Sequence, residues 1–182
     1  MSSHTVRATK IQSAKVTTVK SVRVLGIDPG FGRMGYGIVE EKRGKLCVVT
    51  YGCFESTKNE THGLRLLEIK EFLEKLYAEY KPVAAATETL FFSKNVKTAL
   101  KVGEARGVIL LTIAETGLSL FELSPQEVKQ AVTGYGNAEK GQVARMVKQL
   151  LGLKEVPRPD DAADALAIAI AAAQMRKFLT HL

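Results

Sequence analysis

The chain has 182 residues, of which 46% are apolar, 25% charged and 7% aromatic, and its mean hydropathy is zero. That composition predicts one soluble globular domain with a core of its own, and it excludes a collagen-like chain and a disordered acidic tail. No apolar run reaches the ~20 residues of a membrane span, and the net charge of +7 favours polyanionic partners over a membrane.

Much of that charge is local. Residues 1–23 hold Arg7, Lys10, Lys15, Lys20 and Arg23 with no acidic residue, which leaves +2 for residues 24–182. Residues 1–21, rich in Ser, Thr and Lys and without hydrophobic periodicity, read as a flexible basic tail before a domain spanning 22–182. Neither a signal-peptide apolar stretch nor a lipidation motif is legible there, so the expected location is the cytoplasm.

Val22 to Asp28 reads as a buried strand that stops at Pro29-Gly30. Met34 to Glu40 and Leu46 to Glu55 read as two further strands around the charged turn at 41–45, an antiparallel meander. Cys47 and Cys53 fall within the third strand, about 20 Å apart and beyond disulfide reach, and read as buried thiols of a reducing compartment. Helical spacing runs through Thr61 to Tyr80. A short strand at Val83 to Thr87 carries Glu88 at its end, and a long helix spans Asn95 to Thr116. After a fifth strand at Leu118 to Leu123, Ser124-Pro125-Gln126-Glu127 is a strong helix start. Helices are expected at about 125–132, 138–151 and 160–178. The order predicts an α/β fold, a five-stranded mixed sheet with its first three strands antiparallel and helices on both faces.

Acid usage points to the chemistry. Of 19 acidic residues only four are aspartates, Asp28, Asp160, Asp161 and Asp164, and they are confined to two short segments. Asp28 and Glu88 end strands, whereas Asp161 and Asp164 lie three apart on one face at the start of the last helix. If that helix packs beside the two strand ends, four carboxylates converge. Two divalent cations would relieve their repulsion, and an all-oxygen ligand set selects Mg²⁺ or Mn²⁺. Such a pair activates water and stabilises a leaving oxygen, the chemistry of a metal-dependent nuclease. The same residues also fit plainer roles: helix caps at Asp160, Asp161 and Asp164, a turn residue at Asp28, a solvated strand end at Glu88.

Gly26-Ile27-Asp28-Pro29-Gly30 followed by Gly35-Tyr36-Gly37 resembles the opening strand pair of the RuvC-type Holliday junction resolvases, crossover junction endodeoxyribonucleases of the ribonuclease-H-like superfamily. The resemblance continues through Ser93-Lys94-Asn95, Ala99-Leu100-Lys101, Ala105-Arg106-Gly107, Val128-Lys129-Gln130 and Ala138-Glu139-Lys140. It ends in the run Asp161 to Ala169, so that residues 22–173 are covered. It implies a ribonuclease-H-like fold and a homodimer that nicks two strands of like polarity in four-way junction DNA during recombination and repair, leaving 5′-phosphate ends. The implied partner is a branch-migration complex of the RuvA and RuvB type. The resemblance puts the family's catalytic, metal-binding carboxylates on Asp28, Glu88, Asp161 and Asp164, with two Mg²⁺ (or Mn²⁺) ions, and a catalytic lysine on Lys140. It also implies an aromatic at Phe91 that stacks on an unpaired base, with Lys129 and Lys140 near the scissile phosphate. Lys94, Lys97, Lys101 and Arg106, along one helix, are expected on backbone phosphates. Asp160 and the basic tail lie outside the family pattern; Phe92 is either core or DNA-facing. Gly103 and Gly107 are a candidate dimer contact. The alternatives are a ribonuclease-H-like nuclease acting on RNA or hybrids, and a junction-binding protein without catalysis.

Overall fold

In the computed structural model, which describes residues 21–89 and 96–180, three strands come first: β1 (Val22–Asp28), β2 (Arg33–Lys42) and β3 (Lys45–Glu55). They are followed by α1 (His62–Tyr80), β4 (Ala84–Glu88), α2 (Val96–Thr116) and β5 (Ser119–Leu123). Three helices close the chain: α3 (Pro125–Thr133), α4 (Lys140–Leu150) and α5 (Asp160–Thr180). The five strands form one sheet in the order β3-β2-β1-β4-β5. The β1–β2 and β2–β3 pairs are antiparallel, while β1–β4 and β4–β5 are parallel. The expected tail lies outside the described residues, apart from the exposed Ser21.

The period of two along each strand sorts the side chains onto two faces. Val24 joins the core under α3, α4 and α5, and Leu25 and Ile27 join the core under α1 and α2. By the same alternation Asp28 belongs to the α5 face. In β4, Ala84 and Ala86 face α5 and Ala85 faces the other way, so Glu88 also falls on the α5 side. Ile27 pairs with Thr87 in the parallel register, which sets Asp28 and Glu88 side by side at the same end of the sheet.

α5 is buried on nearly every side from Ala162 to Ala173, as a central helix between the sheet and an outer helical layer must be. Its alanines, and two glycines beneath it, allow a close approach. A Cβ on Gly26 would stand 2.1 Å from the Ala165 carbonyl oxygen, and one on Gly35 would stand 2.0 Å from that of Asp161. Gly35 is the register partner of Asp28. The glycine next to Asp28 is therefore the one that lets the start of α5 settle against the strand end.

Two expectations are corrected. The charged turn at 41–45 contracts to Arg43 and Gly44, both at positive φ (53° and 78°), because pairing of β2 and β3 runs out to Lys42 and Lys45. This is the two-residue hairpin whose twist matches its strands. The thiols are not buried: Cys47 is exposed and Cys53 half-buried, since β3 is an edge strand and only part of its length is covered. The helix start at Ser124 forms as expected, with a capping box in which the Ser124 hydroxyl accepts from the Glu127 amide and the Glu127 carboxylate accepts from the Ser124 amide.

Candidate active site

Asp28, Glu88 and Asp164 line one cavity of about 270 Å³ together with Lys129 and Lys140, over a floor that includes Val128, Val143 and Ile168. Four elements and the start of a helix meet there: β1 and β4 bring the strand-end acids, α3 and α4 the lysines, and α5 the third carboxylate. A larger cavity of about 530 Å³ lies at the opposite end of the β2–β3 hairpin, against the C-terminal end of α4 and Ala173 of α5, and carries none of the predicted site residues.

The electrostatics show how tightly the acids are gathered. Burial, and then the facing charges of Asp164, Glu88 and Asp161, lift the Asp28 carboxyl from its ordinary 3.8 to about 7, against an opposing pull from Lys140. Glu88 is raised for the same reasons, burial first and Asp164 second, while Lys129 and Lys140 lower it. Lys140 Nζ donates to Asp164 Oδ2 at 2.7 Å and stands 3.7 Å from Asp160, and these acids hold its ammonium above the usual lysine range.

Asp161 shares the α5 face but not the cavity wall. Its Oδ2 accepts from Arg33 Nη2 at 2.6 Å, and the Cys53 thiol lies 3.8 Å away. Among the described residues no three acidic, histidine or cysteine side chains stand as a ready-made cage, and Arg33 and Lys140 pair with Asp161 and Asp164 of α5. The donor chemistry nonetheless fits a hard divalent cation: four carboxylates, an Asp28 that holds its proton to about 7, and no histidine or thiolate required.

The remaining candidates divide. Arg106, expected on phosphate, makes two contacts within the chain: its Nε donates to the Glu88 carbonyl oxygen at 3.3 Å and its Nη2 pairs with Glu122. It thereby ties the ends of β4 and β5 together. Lys101 stays exposed and sits over the Phe31 ring at 5.6 Å, beside the loop that follows Asp28. Phe91, Phe92 and Lys94 lie outside the described residues, as does the side chain of Lys97. Sequence reasoning missed Arg33. Its signal is the cross-strand pairing with Glu55, legible only once the register of β2 and β3 is known.

The family model for crossover junction endodeoxyribonuclease RuvC matches residues 24–172. The chain is 51% identical over 150 residues to the crossover junction endodeoxyribonuclease RuvC of Caldicellulosiruptor saccharolyticus, covering 82% of this chain and 90% of that one. It is 50% identical over 154 residues to the protein of the same name from Petrotoga mobilis, covering 85% and 94%. Among solved structures, Thermus thermophilus RuvC superposes with a TM-score of 0.80 at 37% identity, over 86% of this chain and 96% of that one. The T. thermophilus RuvC complex with a Holliday junction substrate gives 0.78 at 34%, over the same shares. The yeast mitochondrial Holliday junction resolvase Ydc2, at TM-score 0.67 and 18% identity over 88% and 82%, shares the fold.

Proposed function

Because the chain belongs to the RuvC family of crossover junction endodeoxyribonucleases, we propose that the cavity walled by Asp28, Glu88 and Asp164 is where it hydrolyses phosphodiesters of four-way junction DNA. The observation that carries this reading is the convergence of acids from three separate elements with two lysines beside them. Asp28 and Glu88 would hold one divalent cation, and Asp28, Asp161 and Asp164 would help to hold a second, Mg²⁺ with Mn²⁺ as substitute. When bound, such ions supply the Lewis acidity that opening a phosphodiester requires.

The chain's own groups account for the rest. Lys129 and Lys140 project into the cavity, where they neutralise charge building on the phosphate. Arg106 anchors the Glu88 backbone, and so acts as a positioning residue. Lys101, with Lys94 and Lys97, would hold the DNA backbone on the α2 side, and Phe91 would stack on a base opened at the crossover.

Symmetric cutting of two strands requires two sites, and α1 and α2 offer a face for a second copy. Leu100 and Leu111 are exposed, and between them Gly103 and Gly107 open onto empty space at helical spacing. Leu64 and Leu67 are exposed on the adjacent α1. A homodimer on this face, working in the cytoplasm with a branch-migration complex of the RuvA and RuvB type, completes the reading. Among the described residues no helix is long and apolar enough to cross a membrane.

The test is cleavage of a synthetic four-way junction against linear duplex, with Mg²⁺ or EDTA. Paired nicks that require Mg²⁺, and that Asp161→Asn reduces by roughly a hundredfold or more while junction binding persists, are expected. Tight binding without cutting by the unaltered protein would favour a binding-only role. Absence of junction preference would favour an RNA-acting nuclease.

A further inference from the structure

Two of the three carboxylates of α5, Asp161 and Asp164, are held by cations of different standing. Lys140, from α4, meets Asp164 inside the cavity and stands among the residues that act on the phosphate. Arg33 is the first residue of β2 and follows the loop after Asp28. It meets Asp161 outside the cavity wall, at 2.6 Å, with Glu55 of β3 steadying its Nε at 3.7 Å. While that guanidinium engages Asp161 Oδ2, that oxygen is taken up and its charge is partly neutralised, which weakens Asp161 toward an ion shared with Asp28.

A guanidinium does not deprotonate, so its charge stays on the pair at any working pH, and a partner that competes for either side shifts the pair toward its open form. A divalent cation competes for Asp161. A phosphodiester competes for Arg33, because its oxygens suit the planar fork of donors as well as a carboxylate does. Arg33 is half-exposed, free to swing toward an incoming backbone.

We propose that Arg33 is a latch on Asp161 that weakens the second ion position in the DNA-free protein and is released by a phosphate of the bound DNA backbone. The inference rests on the reading of these carboxylates as ion ligands. It makes the two halves of the site unequal before substrate arrives: Asp28 and Glu88 compete for an ion only with protons, whereas Asp161 must also give up Arg33. Full loading is thereby coupled to the presence of a phosphate chain, and the free enzyme holds less of the second ion.

The experiment is Mn²⁺ binding to the full-length, DNA-free protein, followed by the electron paramagnetic resonance signal of free Mn²⁺. Wild type should show a tighter and a weaker class of site. Arg33→Gln should tighten the weaker class about three- to tenfold, the scale of an ion pair at a half-exposed position, and leave the tighter class unchanged. The gain should vanish in Arg33→Gln/Asp161→Asn, and Arg33→Lys, which keeps the charge, should stay near wild type. An Arg33→Gln isotherm that superposes on wild type overturns the latch. So does a gain that survives loss of Asp161, since removal of any positive charge would then explain it. Mn²⁺ binding unaffected by Asp28→Asn would instead remove the ligand assignment itself, and the latch with it. Because Arg33 is an exposed strand end, these variants are expected to fold, and their thermal unfolding is checked alongside.

Discussion

Asp28 concentrates the tension of the site in one residue. Its carboxyl titrates at about 7 in the folded protein, against 3.8 ordinarily, chiefly through burial. Below about pH 4 both folded and unfolded chains carry the proton. As the pH rises, the unfolded chain ionises first, so the stability this group contributes is progressively lost and is gone once pH has passed about 7. Metal-free protein should therefore unfold at lower temperature at pH 8 than at pH 5. Asp28→Asn should flatten that dependence and stabilise the metal-free protein at pH 8 by roughly 2–4 kcal/mol, measured by thermal unfolding in EDTA. Cleavage at limiting Mg²⁺ should fall as pH drops below about 7, and raising Mg²⁺ should move that limb to lower pH, since proton and ion compete for the same oxygens.

At the scale of elements, the site depends on how closely α5 lies on β1 and β2. Gly35 bears on it most directly: a methyl there would stand 2.0 Å from the Asp161 carbonyl oxygen, which is backbone and cannot swing aside. Gly35→Ala should destabilise the fold by about 1–3 kcal/mol, the cost of overpacking, and shift the first turn of α5 away from Asp28. Cleavage is expected to fall by far more than stability would explain, because an ångström of misplacement at reacting groups costs on the order of a hundredfold. Denaturant unfolding and single-turnover cleavage of the same variant test both parts.

For the whole molecule, the two faces of the sheet divide the labour. One carries α3, α4 and α5 and forms the acidic cavity; the other carries α1 and α2 and leaves Leu64, Leu67, Leu100 and Leu111 exposed. If that second face joins two copies, Leu111→Glu should shift the protein from dimer to monomer in sedimentation velocity. Paired nicking of a junction should give way to single nicks, while the acidic cavity and its Mn²⁺ binding stay intact. A variant that remains dimeric would place the contact elsewhere.

Much of this was legible along the chain. Alternation along β1 and β4, the capping box at Ser124 and the confinement of aspartate to two segments are one-dimensional signals, and they sufficed for the element order and the mixed sheet and drew attention to Asp28, Glu88 and Asp164, which line one cavity. They suffice because period, caps and composition are set by neighbours in sequence. Other features depend on contacts between elements distant in sequence. Arg33 meets Asp161 across 128 positions of chain, and Arg106 of α2 reaches the Glu88 carbonyl at the end of β4. Cys47 is exposed because β3 is at the sheet edge. A side chain's partner is settled by register, edge position and the depth to which one helix sinks onto a sheet. Those are properties of the packed molecule, and only the tertiary structure decided them.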